Sequence, residues 1–494
     1  DMYAKCGALE TAHHVFNELP HRNVFCWSAL ISGYAKEGLG YEALECFRQM
    51  VDEGVSPNVV TYACILKACA AIGSLEIGED IHAKVREQGL LKDNVILGTT
   101  LIDMYAKCGA LQKAHKVFDE LPKQDVVAWS VLISGYVEYG FCDQAIKCFR
   151  QMEVEGVPPD TMTYVCILKA CSEIRSLEIG EEIHAKVREQ GLLKNSIVVG
   201  NAVIDMYAKC GALQRACEVF DELPQRDVVS WTALIAGYAN HGLGCQAVKI
   251  FKQMKDEGIS PNAWTYVCIL NACAAICSLD IGETIHDELR EQGLLKDNIV
   301  LGNALIDMYT KCDVLQKAQK VFDELPQRDV VSWNVLIAGY VEHGLGDQAI
   351  KCFRQMDDEG LISDDITYTC ILNACAAIMS LEIGEEIYAR VSKQGLLKEN
   401  VMLGTALINM YAKCLALERA CKVFDELPER DTVTWSALIA GYVENGLSDQ
   451  AIECFKRMED EGVSPDALAY VSTLKACASI GSLEVGEELH AKVS

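Results

Sequence analysis

"MYAKCG" occupies Met2–Gly7, and the same six residues return at Met104–Gly109 and Met206–Gly211. "MYTKCD" at Met308–Asp313 and "MYAKCL" at Met410–Leu415 follow in step, 102 residues apart each time. A catalytic centre is not written five times at constant spacing. Such a stretch is one turn of a periodic architecture, and its period decides the fold. Tryptophan keeps the same clock, at Trp27, Trp129, Trp231, Trp333 and Trp435.

Inside one period a single theme occurs three times: "VFCWSALISGYAKEG" from Val24, "VVTYACILKACAAIG" from Val59 and "VILGTTLIDMYAKCG" from Val95. The next tryptophan copy begins at Val126, so the copies are 35, 36 and 31 residues long. In the first, Trp27, Leu30, Ile31 and Tyr34 fall at i, i+3, i+4 and i+7, one helical face. Gly38 and Gly40 interrupt it. Ala43, Leu44, Phe47 and Met50 mark a second amphipathic helix, which Gly54 stops before "VSPN" turns the chain. In the 31-residue copy from Val95, Pro122 ends the second helix. One helical hairpin cannot bury its apolar face, but stacked hairpins can. The predicted fold is all-α: an α-solenoid of helical-hairpin repeats whose first helices line a concave inner surface. Fifteen copies are counted, the first and last incomplete.

The composition agrees. Half of the 494 residues are apolar, enough for a large core, and no compositional break divides the chain. No apolar run reaches the ~18 residues that cross a membrane, so no membrane partner is expected. Asp1 and Ser494 both lie inside the repeating pattern, so a segment of a longer chain is expected, with any targeting peptide or terminal domain outside it. Most of the 24 cysteines are locked to the repeat, as the series Cys6, Cys108, Cys210, Cys312, Cys414 and the series Cys69, Cys171, Cys273, Cys375, Cys477. Both series are expected at helical core positions as reduced packing residues. No C-x-x-C occurs. His286-Asp287-Glu288 matches the H-x-E opening of a zinc deaminase signature, but no P-C-x-x-C follows and sister copies read "HAK" or "YAR". No metal, cofactor or catalytic residue is therefore expected.

Two families of helical hairpins come near these lengths. The copy around Trp129 shares Trp129, Leu132, Tyr136, Ala145 and Phe149 with tetratricopeptide repeats, which would make a peptide-binding scaffold the alternative function. Ile133 stands where that family has a small residue, and the 35/36/31 alternation is foreign to it. That alternation, with "VVSWNVLIAGYVEHG", "TYTCILNACAAI" and "NALIDMYTKCDVLQKAQKVFDELPQRD", resembles a plant PLS-class pentatricopeptide repeat protein of the organellar RNA-editing-factor type. On that resemblance P copies span 24–58, 126–160, 228–262, 330–364 and 432–466. L copies span 59–94, 161–196, 263–298 and 365–400, with a partial one at 467–494. S copies span 95–125, 197–227, 299–329 and 401–431, with a partial one at 1–23.

The resemblance implies a right-handed superhelix, a mitochondrial or chloroplast location and single-stranded RNA as partner. It further implies selection of a cytidine for C-to-U editing, with other editing-complex proteins or a deaminase in cis or in trans. In the family that deaminase carries H-x-E and C-x-x-C ligands, so this chain is expected to be a specificity module and not an enzyme.

The family reads one base per copy with the fifth and the last residue. The pairs here are Ser28/Asn58, Thr99/Asp125, Ser130/Asp160, Asn201/Asp227, Thr232/Asn262, Asn303/Asp329, Asn334/Asp364, Thr405/Asp431 and Ser436/Asp466. An ionised Asp only accepts hydrogen bonds, so it suits the imino N–H of guanine or uracil. Asn can donate to the ring nitrogen of adenine or cytosine. The fifth position is taken from the family, with Ser or Thr for purines and Asn for pyrimidines. Among L copies, Ala63/Asn94, Val165/Ser196 and Val267/Asn298 lack a polar fifth residue and are expected to act as spacers, while Thr369/Asn400 suits adenine. The expected target is A-n-G-G-n-U-A-n-U-U-n-G-G-n. Ser, Thr, Asn and Asp also cap helices, so any one pair taken alone reads equally as local structure. Recurrence of all nine in one register favours base contact. Lys5, Lys107, Lys209, Lys311 and Lys413 recur at the end of a first helix and are expected to meet phosphates. The other reading is a solvated lysine suited to the helix dipole. The net charge of −27 opposes RNA binding and should make it salt-sensitive.

Overall fold

A computed structural model describes residues 2–91, 94–296, 298–398 and 400–493. Among the described residues there are thirty-one α-helices, one short 3-10 turn and no strand. No described helix is long and apolar enough to cross a membrane. The packing divides the chain into two units, residues 1–241 with 253–260 and residues 242–252 with 261–494. Each unit is an α-solenoid of antiparallel helical hairpins.

The first unit shows how the sequence builds a hairpin. Val24–Lys36 buries Trp27, Leu30 and Ile31, and Gly40–Asp52 buries Ala43, Leu44, Phe47 and Met50. These are the two apolar stripes with helical spacing, facing each other. Gly38 sits between them at φ +76° and Gly54 closes the second helix at φ +75°, a region costly for any residue with a Cβ. The next first helix, Val59–Ile72, packs on the first, and Val95–Lys107 packs on that one. The same order continues through first helices Val126–Glu138, Thr161–Glu173, Ile197–Lys209 and Val228–Asn240. The second unit repeats it with Ala263–Ala275, Ile299–Lys311, Val330–Glu342, Asp365–Ile378, Val401–Lys413, Thr432–Glu444 and Ala467–Ile480.

Three contacts recur from period to period. Phe16, Phe118, Phe220, Phe322 and Phe424 stand edge-on to Trp27, Trp129, Trp231, Trp333 and Trp435, with ring centres 4.4–4.6 Å apart. Such pairs add about 0.5–1.5 kcal/mol to simple burial. Glycine lets neighbouring first helices approach: a Cβ on Gly135 or Gly237 would lie 2.7 or 2.6 Å from the methyls of Ala106 or Ala208. On the second helices, Arg86–Glu120, Arg188–Glu222 and Arg290–Glu324 form a ladder of ion pairs between copies, at 2.7–2.9 Å.

The cysteines are all unbridged. Cys69, Cys171, Cys273, Cys375 and Cys477 are core residues. The other series is not: Cys108, Cys210, Cys312 and Cys414 cap the C-termini of their helices and are half-buried, and Cys6 is exposed. The periodic spacing places that series just past the last helical turn, where the buried face ends.

Candidate functional site

Each last residue of the nine pairs is the N-cap of the following first helix. Asn58, Asp160, Asn262, Asp364 and Asp466 accept from the backbone N–H three residues on, at 2.8–2.9 Å. Asp125, Asp227, Asp329 and Asp431 do the same, also at 2.8–2.9 Å. An extended residue whose side chain accepts from the first turn is what a helix start needs. Capping is thus realised at every one of the nine sites. The cap bond itself occupies one carboxylate or amide oxygen.

Within each unit the fifth residues lie beside these caps. Ser28, Asn201, Thr232, Asn303, Asn334, Thr405 and Ser436 are buried, while Thr99 and Ser130 are half-buried. Four pairs are joined directly. Ser130 Oγ donates to Asp160 at 3.2 Å and Ser436 Oγ to Asp466 at 2.7 Å. Asn201 Nδ2 donates to Asp227 Oδ1 at 3.1 Å, and Asn334 Nδ2 to both oxygens of Asp364 at 3.0 and 3.2 Å. Two more are linked through a third side chain: Ser28 meets Thr61 at 2.7 Å and Thr405 meets Thr434 at 3.0 Å, and those threonines bond Asn58 and Asp431. Thr99 turns instead to its own helix, donating to the Val95 carbonyl. Thr232 donates to the Val228 carbonyl. Asn303 has no bond to Asp329, and its Oδ1 is buried without a partner.

The electrostatics suit an acceptor. Burial pushes the Asp227 carboxyl up, but hydrogen bonds from the Ser230 N–H, Asn201, Ser230 Oγ and the Val229 N–H outweigh it, and the group titrates below the ordinary aspartate range. Asp364 is lowered against burial in the same way by Thr367 and Asn334. Both are anionic at neutral pH.

A feature that periodicity alone hid lies next to each cap. The second residue of every first helix is apolar yet exposed, from 50% at Val300 to 75% at Ile96. Phe25, Val60, Val127, Met162, Trp264, Val331, Met402 and Leu468 belong to this row. One exposed apolar side chain per copy, beside one polar pair, is a repeated surface without a core role. The signal was present as an apolar doublet such as Val126-Val127, in which only one member fits the buried stripe. In the first unit, a cleft of about 400 Å³ is lined by Ile96, Thr99, Asp103, Asp125, Val127 and Lys67. The polar pair and two successive exposed apolar residues share one cavity there.

The pairs of the 36-residue copies differ. Asn94 and Asn298 cap their helices, and Ser196 makes no side-chain cap. Asn400 caps Val401–Lys413 and also donates to Asp365 at 2.7 Å, while Thr369 bonds the Asp365 carbonyl. Thr369 and Asn400 are therefore each engaged with Asp365.

Four of the lysines end their helices in ion pairs. Lys107 reaches Asp103 at 3.0 Å and Lys311 reaches Asp307 at 2.8 Å. Lys209 lies between Asp205 and Glu173, and Lys413 meets Glu444 at 2.8 Å. Lys5 is the last residue of the short helix Met2–Lys5. The H-x-E histidine faces inward: His286 Nδ1 sits 2.8 Å from the Tyr309 hydroxyl. Burial, reinforced by Arg290, lowers its pKa and keeps it neutral.

The comparisons with known proteins follow this architecture. The description "PPR repeat family" matches residues 22–71, 124–173, 226–275, 328–377 and 430–479, and "PPR repeat" matches 99–126, 201–228, 303–330 and 405–432. A pentatricopeptide repeat-containing protein of Arabidopsis thaliana is 36% identical over 98% of this chain and 67% of its own length. A chloroplastic one from the same plant is 35% identical over 99% of this chain and 78% of its own. A mitochondrial one is 33% identical over 99% of this chain, which spans only 48% of that relative. Among solved structures, maize pentatricopeptide repeat protein PPR10 superposes with a TM-score of 0.57 at 20% identity, covering 99% of this chain and 82% of that one. Its complex with an 18-nucleotide psaJ RNA element gives 0.56 at 17% identity, covering 99% and 87%. Family match, identity along nearly the whole length and shared fold agree that this chain belongs to the pentatricopeptide repeat family.

Proposed function

We propose that this chain binds single-stranded RNA in a sequence-specific way, one base per copy, as the specificity portion of a PLS-class factor for organellar C-to-U editing. The observation that carries the reading is the cleft holding Thr99 and Asp125 between Ile96 and Val127. A planar base inserted there lays its faces on two apolar side chains and presents its edge to a hydroxyl and a carboxylate. Stacking holds any base, and the polar edge selects one. The psaJ RNA complex of PPR10 supports RNA as the ligand, and the chloroplastic and mitochondrial relatives support an organelle as the place.

The pairs assign the bases. Asp227, Asp329 and Asp364 beside Asn read uracil; Asp125, Asp160, Asp431 and Asp466 beside Ser or Thr read guanine; Asn58 and Asn262 read adenine. The 36-residue copies space the strand, which includes Thr369 and Asn400 because both are engaged with Asp365. Lys5, Lys107, Lys209, Lys311 and Lys413 meet phosphates, four of them by exchanging a carboxylate partner. Exposed pairs of that kind contribute about 0–1 kcal/mol, so a phosphate can compete. Deamination itself belongs to a domain or partner acting in cis or in trans. The test is selection by the chain from a random RNA pool. Enrichment of A-n-G-G-n-U-A-n-U-U-n-G-G-n is expected, and enrichment of no common sequence would remove the reading.

A further inference from the structure

Seven of the nine polar pairs are followed, at the third residue of the next first helix, by a hydroxyl side chain: Thr61, Thr163, Ser230, Thr265, Ser332, Thr367 and Thr434. All seven are fully buried. The pairs of the 36-residue copies never have one, because Leu97, Val199, Leu301 and Leu403 stand there. The hydroxyl therefore accompanies seven of the nine pairs assigned to bases, all but those ending at Asp125 and Asp466, and is absent from the copies assigned as spacers.

Its bonds explain what it does. Ser230 Oγ donates to Asn201 Oδ1 at 2.6 Å and lies 3.1 Å from Asp227 Oδ1. Thr367 Oγ1 is 2.6 Å from Asn334 Oδ1 and 2.7 Å from Asp364 Oδ1. In both, the Asn Nδ2 donates to the carboxylate. The ring of bonds has one polarity only. With its Oδ1 held by the hydroxyl, the amide must aim Nδ2 at the carboxylate and keep one N–H uncommitted. Asp227 in turn keeps Oδ2. A free N–H donor beside a free anionic acceptor complements uracil, whose O4 accepts and whose N3–H donates. It opposes cytosine, which presents an acceptor at N3 and a donor at N4.

We infer that beside Asn201 and Asn334 the third-residue hydroxyl, Ser230 or Thr367, is a positioning residue that sets the donor–acceptor polarity of the reading pair and so determines specificity without touching the base; Ser332 does not reach Asn303 in this way. Without it, the buried amide oxygen loses its donor and only the bond to the carboxylate still orients the amide. The inference rests on the proposed RNA reading.

The experiment compares RNAs of the expected sequence with U or C at the sixth base, the one facing Asn201/Asp227, by titration with the whole chain. The parent should favour U. Ser230→Ala should lower the U:C ratio by about three- to tenfold, one net hydrogen bond, while Ser230→Thr keeps it. A hydroxyl that only supported the helix start would weaken both RNAs equally and leave the ratio unchanged, which overturns the inference alone. A parent without U:C preference overturns the RNA reading and the inference with it. A second arm does not depend on Ser230→Ala folding. Thr367→Val removes the donor to Asn334 at nearly constant shape and should lower the U:C ratio at the tenth base, the one facing Asn334/Asp364; an unchanged ratio counts against the inference.

Discussion

Asn201 donates its side-chain N–H to Asp227 across a stretch of 26 residues, and that carboxylate simultaneously caps the helix that follows it. One group thus serves both the helix start and the surface proposed to face a base. Its two duties can be separated by substitution.

Asp227→Asn keeps a good cap and replaces an acceptor-only group by one that donates. Folding should be nearly unchanged. The preferred sixth base should move from U to C, by roughly 1–3 kcal/mol on the scale of base-edge pairs in duplex DNA. Competition binding with the four sixth-base RNAs measures it, and a parent-like ratio would return Asp227 to capping alone.

The exposed row is testable without touching the core. Val127 is 51% exposed, so Val127→Ser should leave the thermal midpoint within a degree or two of the parent. RNA affinity should fall by about 1 kcal/mol for every sequence, since the lost contact is apolar and base-blind. Equal affinity of the variant would show that no base lies on Val127.

Lys107 and Lys209 are proposed to meet the phosphates of the RNA. Reversing both to Glu should weaken all RNAs alike and flatten the plot of log affinity against log salt. The change is about 0.7 per lost phosphate contact on a single strand. An unchanged slope would mean that Asp103, Asp205 and Glu173 remain their only partners.

Gly135 and Gly237 test the packing. In a solvated helix, alanine is more favourable than glycine by about 1 kcal/mol. Here the added methyl meets Ala106 or Ala208 at 2.7 or 2.6 Å. Gly135→Ala or Gly237→Ala should therefore destabilise, by about 1–3 kcal/mol in denaturant unfolding. A stabilised variant would refute the close approach.

His82, His184 and His286 each hold a tyrosine hydroxyl at 2.8 Å and bury an Nε2 that has no partner. Burial lowers all three pKa values, and Arg86, Arg188 and Arg290 add to the effect. A histidine lowered in the folded state gives stability that is complete above its unfolded value, ~6.5, and is lost as pH falls through the folded one. The thermal midpoint should fall as pH drops below ~6.5. Replacing all three by Gln should flatten that drop, and a slope unchanged in the triple variant would assign it to other groups.

The fold was legible because stacking copies a constraint: Trp27 and its sisters at 102-residue intervals, each with a helical stripe behind it, admit only repeated hairpins. Helix caps were legible as residue types, since Asn58 or Asp227 before an apolar run has a local reason to be there. Less was visible where the reason lies in another copy. The bond from Thr367 to Asn334 spans 33 residues, and the ion pair of Lys209 with Glu173 crosses from one first helix to the next. Lys107 and Asp103, four apart on one helix, could have been paired from spacing alone. Val127 was hidden differently. Beside Val126 and Trp129 it passes for core, and only the three-dimensional arrangement shows that it faces outward.

Every carboxylate or amide proposed to read a base in this chain also begins a helix, and this restricts what it can become. Only a handful of side chains cap a helix well, chiefly Asn, Asp, Ser and Thr. A substitution to Gln or Glu could offer a base the same chemistry but would leave the helix start without its acceptor, at a cost of about 1 kcal/mol per copy. The alphabet available at that position is thus set by the geometry of the first helical turn before any nucleotide is considered. Drift among its few letters is nearly free for folding, so new targets can be reached one copy at a time while the scaffold stays intact.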